Sequence, residues 1–262
     1  MTTLRSIKPC LYSDDELHGV LYEPDKNPAA AVLVLSPLFE EKRAAHRAMA
    51  TFCSVLCDAG YAVLHPDLFG CGNSAGTLSE TSLERWKEDV DAAISFLKER
   101  YGVGNLIIVG CRMGGLLAGW YLSEHPDAAG RLLLWNPVTD GNLYISAARK
   151  RRMIQDSITN ADEKPTVDPR EVEGQVLSED LFNELKGISL MKLPPPANTR
   201  IFQCSFNDKL TSEIQRLLTA WGQKEGEEKF PLRCVVAQPF WNAHTPGGYD
   251  NMIESAKELL LQ

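Results

Sequence analysis

The chain has 262 residues, a length that suits one large α/β domain with a modest insertion. Hydrophobic residues make up 44% and charged residues 24%, ordinary for a globular chain with a full core. A formal net charge of −8 argues against a nucleic-acid footprint or an anionic membrane surface, with one local exception, Arg149-Lys150-Arg151-Arg152.

Two early strands are predicted near residues 7–12 and 17–22, around the polar turn Ser13-Asp14-Asp15-Glu16, as an antiparallel start. Residues 29–35 form an apolar run bounded by Pro28 and Pro37, as expected of a strand buried on both faces. A helix is expected from about Arg43 to Ala59, closed by Gly60, and a strand at 61–65. A glycine-rich loop, Asp67 to Gly76, leads to a helix opened by the capping-box pattern Thr81-x-x-Glu84. Strands follow at 106–109 and 131–135. This alternation of strand and helix predicts an α/β fold with a mostly parallel central sheet and helices on both faces.

From Val138 to Pro196 the β-rich runs thin out and charge rises, up to Pro194-Pro195-Pro196. We read residues 138–196 as a helical cap, with helices at about 142–159 and 179–186, the second capped by Ser178. The core then comprises residues 1–137 and 197–262. Its last strands are expected at 200–205 and 232–237, separated by a helix opened by Ser212-x-x-Gln215 and followed by a helix from about Tyr249.

The seven cysteines include no C-x-x-C pair and read as reduced, mostly buried residues. Cys53 and Cys57 are four apart, which alone makes no zinc site. No cofactor or metal is expected. Residues 1–16 lack an apolar run after a basic start, and no stretch has the apolar length of a membrane span, so the expectation is a cytoplasmic protein without an integral membrane segment.

The segment Leu106 to Gly115 carries the most information. It reads as a buried strand entering a glycine-flanked turn and a helix, the architecture of the nucleophile elbow G-x-S-x-G. Its glycines stand at 110 and 114, but its centre is Arg112, and a guanidinium stays protonated and cannot attack. A cation at the start of a helix, facing a partly enclosed pocket, requires a carboxylate partner. Cys111, beside the elbow centre, is expected to face the sheet core, and Cys71 lies in the glycine-rich loop.

The order of elements resembles the α/β-hydrolase superfamily, in its serine-aminopeptidase-like and lipase-like members. The matching points are the elbow, the loop Asp67-Leu68-Phe69-Gly70-Cys71-Gly72-Asn73-Ser74, and Ser36-Pro37-Leu38-Phe39 after the first central strand. The resemblance implies an oxyanion hole from backbone N–H groups of Leu38 or Phe39 and Met113. It places Asp208 at the acid position and His244 at the histidine position, in the superfamily's order of elbow, acid and histidine. It also sets Glu40 and Glu41 opposite the elbow, so that of the candidate carboxylates Glu40, Glu41 and Asp208, one of the first two is the expected partner of Arg112. Thr211 and Ser212 stand closer to the next helix than Asp208 and can cap it, which leaves Asp208 for the site. His18, His46, His65 and His125 read as structural.

The runs Pro37–Lys42, Asp67–Gly76, Trp135-Asn136-Pro137-Val138 and Pro239-Phe240-Trp241 are similar to a bacterial group described as exosortase-A-system-associated hydrolase 2, which implies a link to exopolysaccharide production. Two functions follow. One is a hydrolase of an ester or small acyl substrate, with water activated by Asp208 and His244. The other is an inactive hydrolase-fold binding or assembly protein, with Arg112 in an anion site or a salt bridge. A small acyl, ester or anionic ligand is the expected partner; the oligomeric state stays open.

Overall fold

A computed structural model describes residues 5–14, 16–102, 104–159, 168–224, 226–242 and 248–262. Ten strands and seven helices are described in chain order. The strands β1 (Arg5–Ser13) and β2 (Leu17–Pro24) form the antiparallel start, and β3 (Ala31–Leu35) enters the centre of the sheet. Then come α1 (Phe39–Asp58), β4 (Ala62–Pro66), α2 (Leu83–Tyr101), β5 (Leu106–Cys111), α3 (Met113–Glu124) and β6 (Arg131–Trp135). The stretch that follows holds α4 (Gly141–Thr159), β7 (Glu171–Val172), β8 (Gln175–Val176) and α5 (Glu179–Gly187). The chain closes with β9 (Thr199–Ser205), α6 (Ser212–Ala220), β10 (Leu232–Val236) and α7 (Asp250–Leu261).

The main sheet has eight strands in the order β1-β2-β4-β3-β5-β6-β9-β10, antiparallel at β1-β2-β4 and parallel from there on. Its middle is buried on both faces, so the central strands read as continuous apolar runs. Strand periodicity divides them between two cores. Leu33, Leu35, Ile108, Leu132 and Leu134 pack on one face with residues of α2, α3 and α6. Val32, Val34, Val109, Leu133 and Trp135 pack on the other with residues of α1 and α7. In that second core Trp135 meets Phe52, Phe202 and Phe240 edge to face at 5.1, 5.2 and 5.4 Å, directly behind the end of β5. Among the described residues no helix is long and apolar enough to cross a membrane.

The caps shift by one residue from the sequence expectation at two helices. Ser82, not Thr81, accepts from the Arg85 N–H at the start of α2. Thr211, not Ser212, accepts from the Ile214 N–H at the start of α6. In both, two adjacent hydroxyls compete, and the chain's entry direction decides which one is in extended backbone and can fold back. The α5 cap is Ser178, as expected. Helix α1 begins at Phe39 rather than Arg43, which carries Glu40 and Glu41 into its first turn, where the helix dipole favours carboxylates.

The β7–β8 hairpin was not anticipated. Its turn is Glu173-Gly174, both with positive φ (51° and 84°), the backbone a two-residue hairpin of this twist requires. Two-residue strands give no periodicity to read, and a glutamate rather than an asparagine or aspartate precedes the glycine.

Candidate functional site

The elbow is built as the sequence reading expected. Arg112 has φ 54° and ψ −120°, a strained conformation that side-chain-bearing residues rarely hold. The turn is fixed by its own backbone: the Arg112 N–H donates to Trp135 O at 3.1 Å, and its carbonyl accepts from Gly115 (2.9 Å) and Val138 (3.0 Å). Close approach explains the glycines. A Cβ on Gly114 would lie 2.1 Å from the Leu35 carbonyl oxygen, and one on Gly110 would lie 2.5 Å from that of Gly114. The elbow is thus pressed against the segment Leu35–Ser36 at the end of β3.

From this turn the Arg112 side chain reaches to α1. Its Nε and Nη2 donate to the two oxygens of Glu41 at 3.1 and 3.0 Å, a two-bond fork, and Nη1 donates to Asn136 O at 3.1 Å. The guanidinium also lies over the Trp241 ring, 4.8 Å from its centroid. The pair is largely out of water, with the Arg112 and Glu41 side chains 16% and 5% exposed. Burial pushes the Glu41 carboxyl above its ordinary value, while the Arg112 charge pulls it down. Burial depresses the Arg112 guanidinium in turn, but the charge and the hydrogen bonds of Glu41, with smaller help from Tyr144 and Glu213, together outweigh this and leave it raised. We take the fork as an ion pair, since the charged hydrogen bonds hold both groups in their ionised forms.

Glu41 is therefore the partner, and Glu40 is not. Glu40 points outward and pairs with Arg43 at 2.9 Å. Of the oxyanion candidates, Leu38 is buried, Phe39 starts α1 with φ 56°, and Met113 starts α3. Asp208 lies exposed in the turn after β9 and makes no hydrogen bond or ion pair among the described residues. His244 lies outside the described residues.

Neither of the two thiols singled out in the sequence is set up to attack. Cys111 is fully buried in the second core, and burial raises its pKa well above that of a free thiol. Burial also pushes Cys71 up to about 11. A serine–histidine pair does exist off the elbow, with Ser36 Oγ 2.5 Å from His65 Nε2. Burial lowers His65 to about 4, so its imidazole is neutral. The void beside Ser36 and Gly114 is only about 10 Å³, room for a water at most.

Three supporting residues escaped the sequence reading in these roles. Asn136 follows β6 with φ 41° and bridges to β9, donating from Nδ2 to Cys204 O (3.1 Å) and accepting from Cys204 N at Oδ1 (2.8 Å). Trp241 covers the guanidinium. Glu173, in the β7–β8 turn, accepts from Arg151 of α4 (2.5 Å) and from the Glu40 N–H (3.2 Å), tying the hairpin to α4 and to the start of α1. An asparagine after an apolar strand can signal a bridge of the first kind; the other two contacts depend wholly on tertiary placement. Above the ion pair, α1, α4, the β7–β8 turn and Trp241 enclose a cleft of about 810 Å³.

Solved structures of the same fold include esterases. Est1E from Butyrivibrio proteoclasticus with ferulic acid bound superposes with a TM-score of 0.67 at 16% identity, over 95% of this chain and 97% of its own. An esterase from Pyrococcus furiosus gives 0.62 at 16% identity, over 99% and 91%. A thermostable carboxyl esterase from Bacillus coagulans gives 0.57 at 17% identity, over 90% of each chain. No curated protein matches this sequence. The family described as serine aminopeptidase, S33 matches residues 26–180, a stretch that includes Ser36–Phe39, the turn at Arg112 and α4, and the chain belongs to that family.

Proposed function

We propose that this protein binds a small organic anion, or serves as an assembly partner, on a hydrolase scaffold whose chemistry has been silenced. The observation that carries this is the Arg112–Glu41 fork at the nucleophile position. It supplies no attacking group, and it draws a side chain across the space between the elbow and the helix that follows the oxyanion loop. The cleft above it persists. Of its arginines, Arg43 is paired with Glu40, Arg151 with Glu173 and Arg152 with Glu171. Arg47 has no carboxylate partner among the described residues, which gives an anion one uncompensated cation. Est1E is a fold relative whose bound ligand is also an organic acid. Residues 138–196 would serve as the cap over this cleft. The lack of a disulfide among the seven cysteines fits a cytoplasmic location, and the likeness to the exosortase-A-associated group would set the role within exopolysaccharide production.

A hydrolase is the second reading, favoured by the elbow strain that is retained without a nucleophile. It would need Asp208 and His244 to activate water. A panel of short p-nitrophenyl esters separates the two. The binding reading expects no turnover by the natural chain, together with thermal stabilisation by organic acids that Arg47→Ala removes. Turnover by the natural chain that Asp208→Asn or His244→Asn abolishes would overturn it.

A further inference from the structure

The basic run Arg149 to Arg152 is split by the structure. Arg151 and Arg152 turn toward the β7–β8 hairpin, with Arg151 2.5 Å from Glu173 and Arg152 3.7 Å from Glu171. Arg149 and Lys150 turn outward, exposed, and neither has an ion-pair partner among the described residues. At about 100° per residue, Asn142, Ser146, Arg149, Lys150 and Met153 share one face of α4, with Leu143 and Ile154 at its border. Buried Tyr144 and Ala148 lie on the far side of the helix, and buried Ile145 lies at the inner border of the outer face.

That outer face is also apolar. Leu143, Met153 and Ile154 are 54%, 69% and 62% exposed. Between α4 and α5 the surface dips into a groove of about 240 Å³ with Arg149, Lys150 and Lys186 at its edge. Ile145, Met153 and Phe182 line the same groove, and among the described residues no carboxylate does. Three cations around an apolar groove stand out on a chain of net charge −8.

We infer that this face docks on an anionic lipid bilayer, with Arg149, Lys150 and Lys186 meeting headgroup phosphates and Leu143, Met153 and Ile154 entering the interface. A soluble polyanion would match the cations but leave the apolar side chains in water. An apolar protein surface would cover those side chains but strand the cations. An anionic bilayer places phosphate above hydrocarbon and matches both, the arrangement of an interfacial amphipathic helix.

Co-sedimentation of the full chain with phosphatidylglycerol-containing vesicles and with pure phosphatidylcholine vesicles tests this. A basic residue near an anionic surface is worth about fivefold in binding, so three should give roughly a hundredfold preference for the anionic vesicles, lost at high salt. Arg149→Glu with Lys150→Glu should cut that binding at least about tenfold. Met153→Asp should weaken it while keeping the preference for anionic lipid. Lys98→Glu with Arg216→Glu, which reverses two cations on other faces, should leave it in place. Thermal melts confirm that each variant is folded. Equal binding to both vesicle types, or full binding by the Arg149 and Lys150 variant, would overturn the inference. So would a dimer that this variant dissolves without any vesicle binding, or saturation by soluble glycerol phosphate that blocks the vesicles.

Discussion

The elbow and the rim of the cleft each hold an arginine–glutamate pair, and the two glutamates are neighbours in the first turn of α1. Arg43–Glu40 sits at the rim, 81% and 53% exposed, with a contact of 2.9 Å. Arg112–Glu41 sits at the elbow, 16% and 5% exposed, with two bonds to one carboxylate. The chemistry is the same and the consequences differ. Water screens the outer pair, so its members are nearly independent. The inner pair has lost its water, so each charge depends on the other to remain tolerable. Pairing of this kind need not add stability; it makes the loss of one partner expensive.

The sharpest way to break the comparison is Arg112→Ser, which leaves Glu41 buried and unpaired and should cost about 3–5 kcal/mol in urea unfolding. Adding Glu41→Gln should restore most of it, which a double-mutant cycle reads directly. The deficit should depend on pH. Burial already raises the Glu41 carboxyl, and removing Arg112 removes the charge that opposes this. A carboxyl whose folded pKa exceeds its unfolded value binds its proton more tightly when folded. Stability therefore falls as pH rises through the folded value and returns on acidification. A deficit in Arg112→Ser that grows on acidification would contradict a buried, charged Glu41. The double variant is also the cleanest chain in which to look for recovered esterase activity, since its serine is not accompanied by a stranded carboxylate.

A smaller effect is expected beside the elbow. Asn136→Ala removes two buried hydrogen bonds to the Cys204 backbone and forces alanine into a positive φ, so a loss of about 2–3 kcal/mol is expected. The smallest effect belongs to the rim. Glu40→Ala should leave the melting temperature unchanged within replicate scatter, at low and high salt alike. A clear, salt-sensitive loss there would show that the outer pair is not screened and would erase the contrast.

Much of this was legible in the chain. The antiparallel start, the parallel centre and the order of elements follow from strand period, burial on two faces and glycine or proline punctuation, which are local signals. The elbow was legible because its glycines are demanded by contacts under 3 Å that tolerate no Cβ. That Arg112 needs a carboxylate was also legible, from charge and burial alone. The choice between Glu40 and Glu41 was not, because adjacent residues on a helix point about 100° apart and only the placement of α1 decides which faces inward. The start of α1 at Phe39, four residues earlier than periodicity suggested, makes that choice. The roles of Trp241 and Glu173 were hidden for the same reason: each acts on a residue more than a hundred positions away.

The amino-acid sequence by itself determined the α/β architecture, the elbow and the absence of a nucleophile at its centre, because each rests on residue type and local spacing. Tertiary structure alone decided that the guanidinium is locked by Glu41 and covered by Trp241. It also decided that, within the Arg149–Arg152 run, Arg151 and Arg152 pair with carboxylates of the β7–β8 hairpin, since helix phase and the docking of that hairpin assign each arginine its neighbours. Charge is a property of the residue, but whether it is screened, paired or free depends on how far water is kept away.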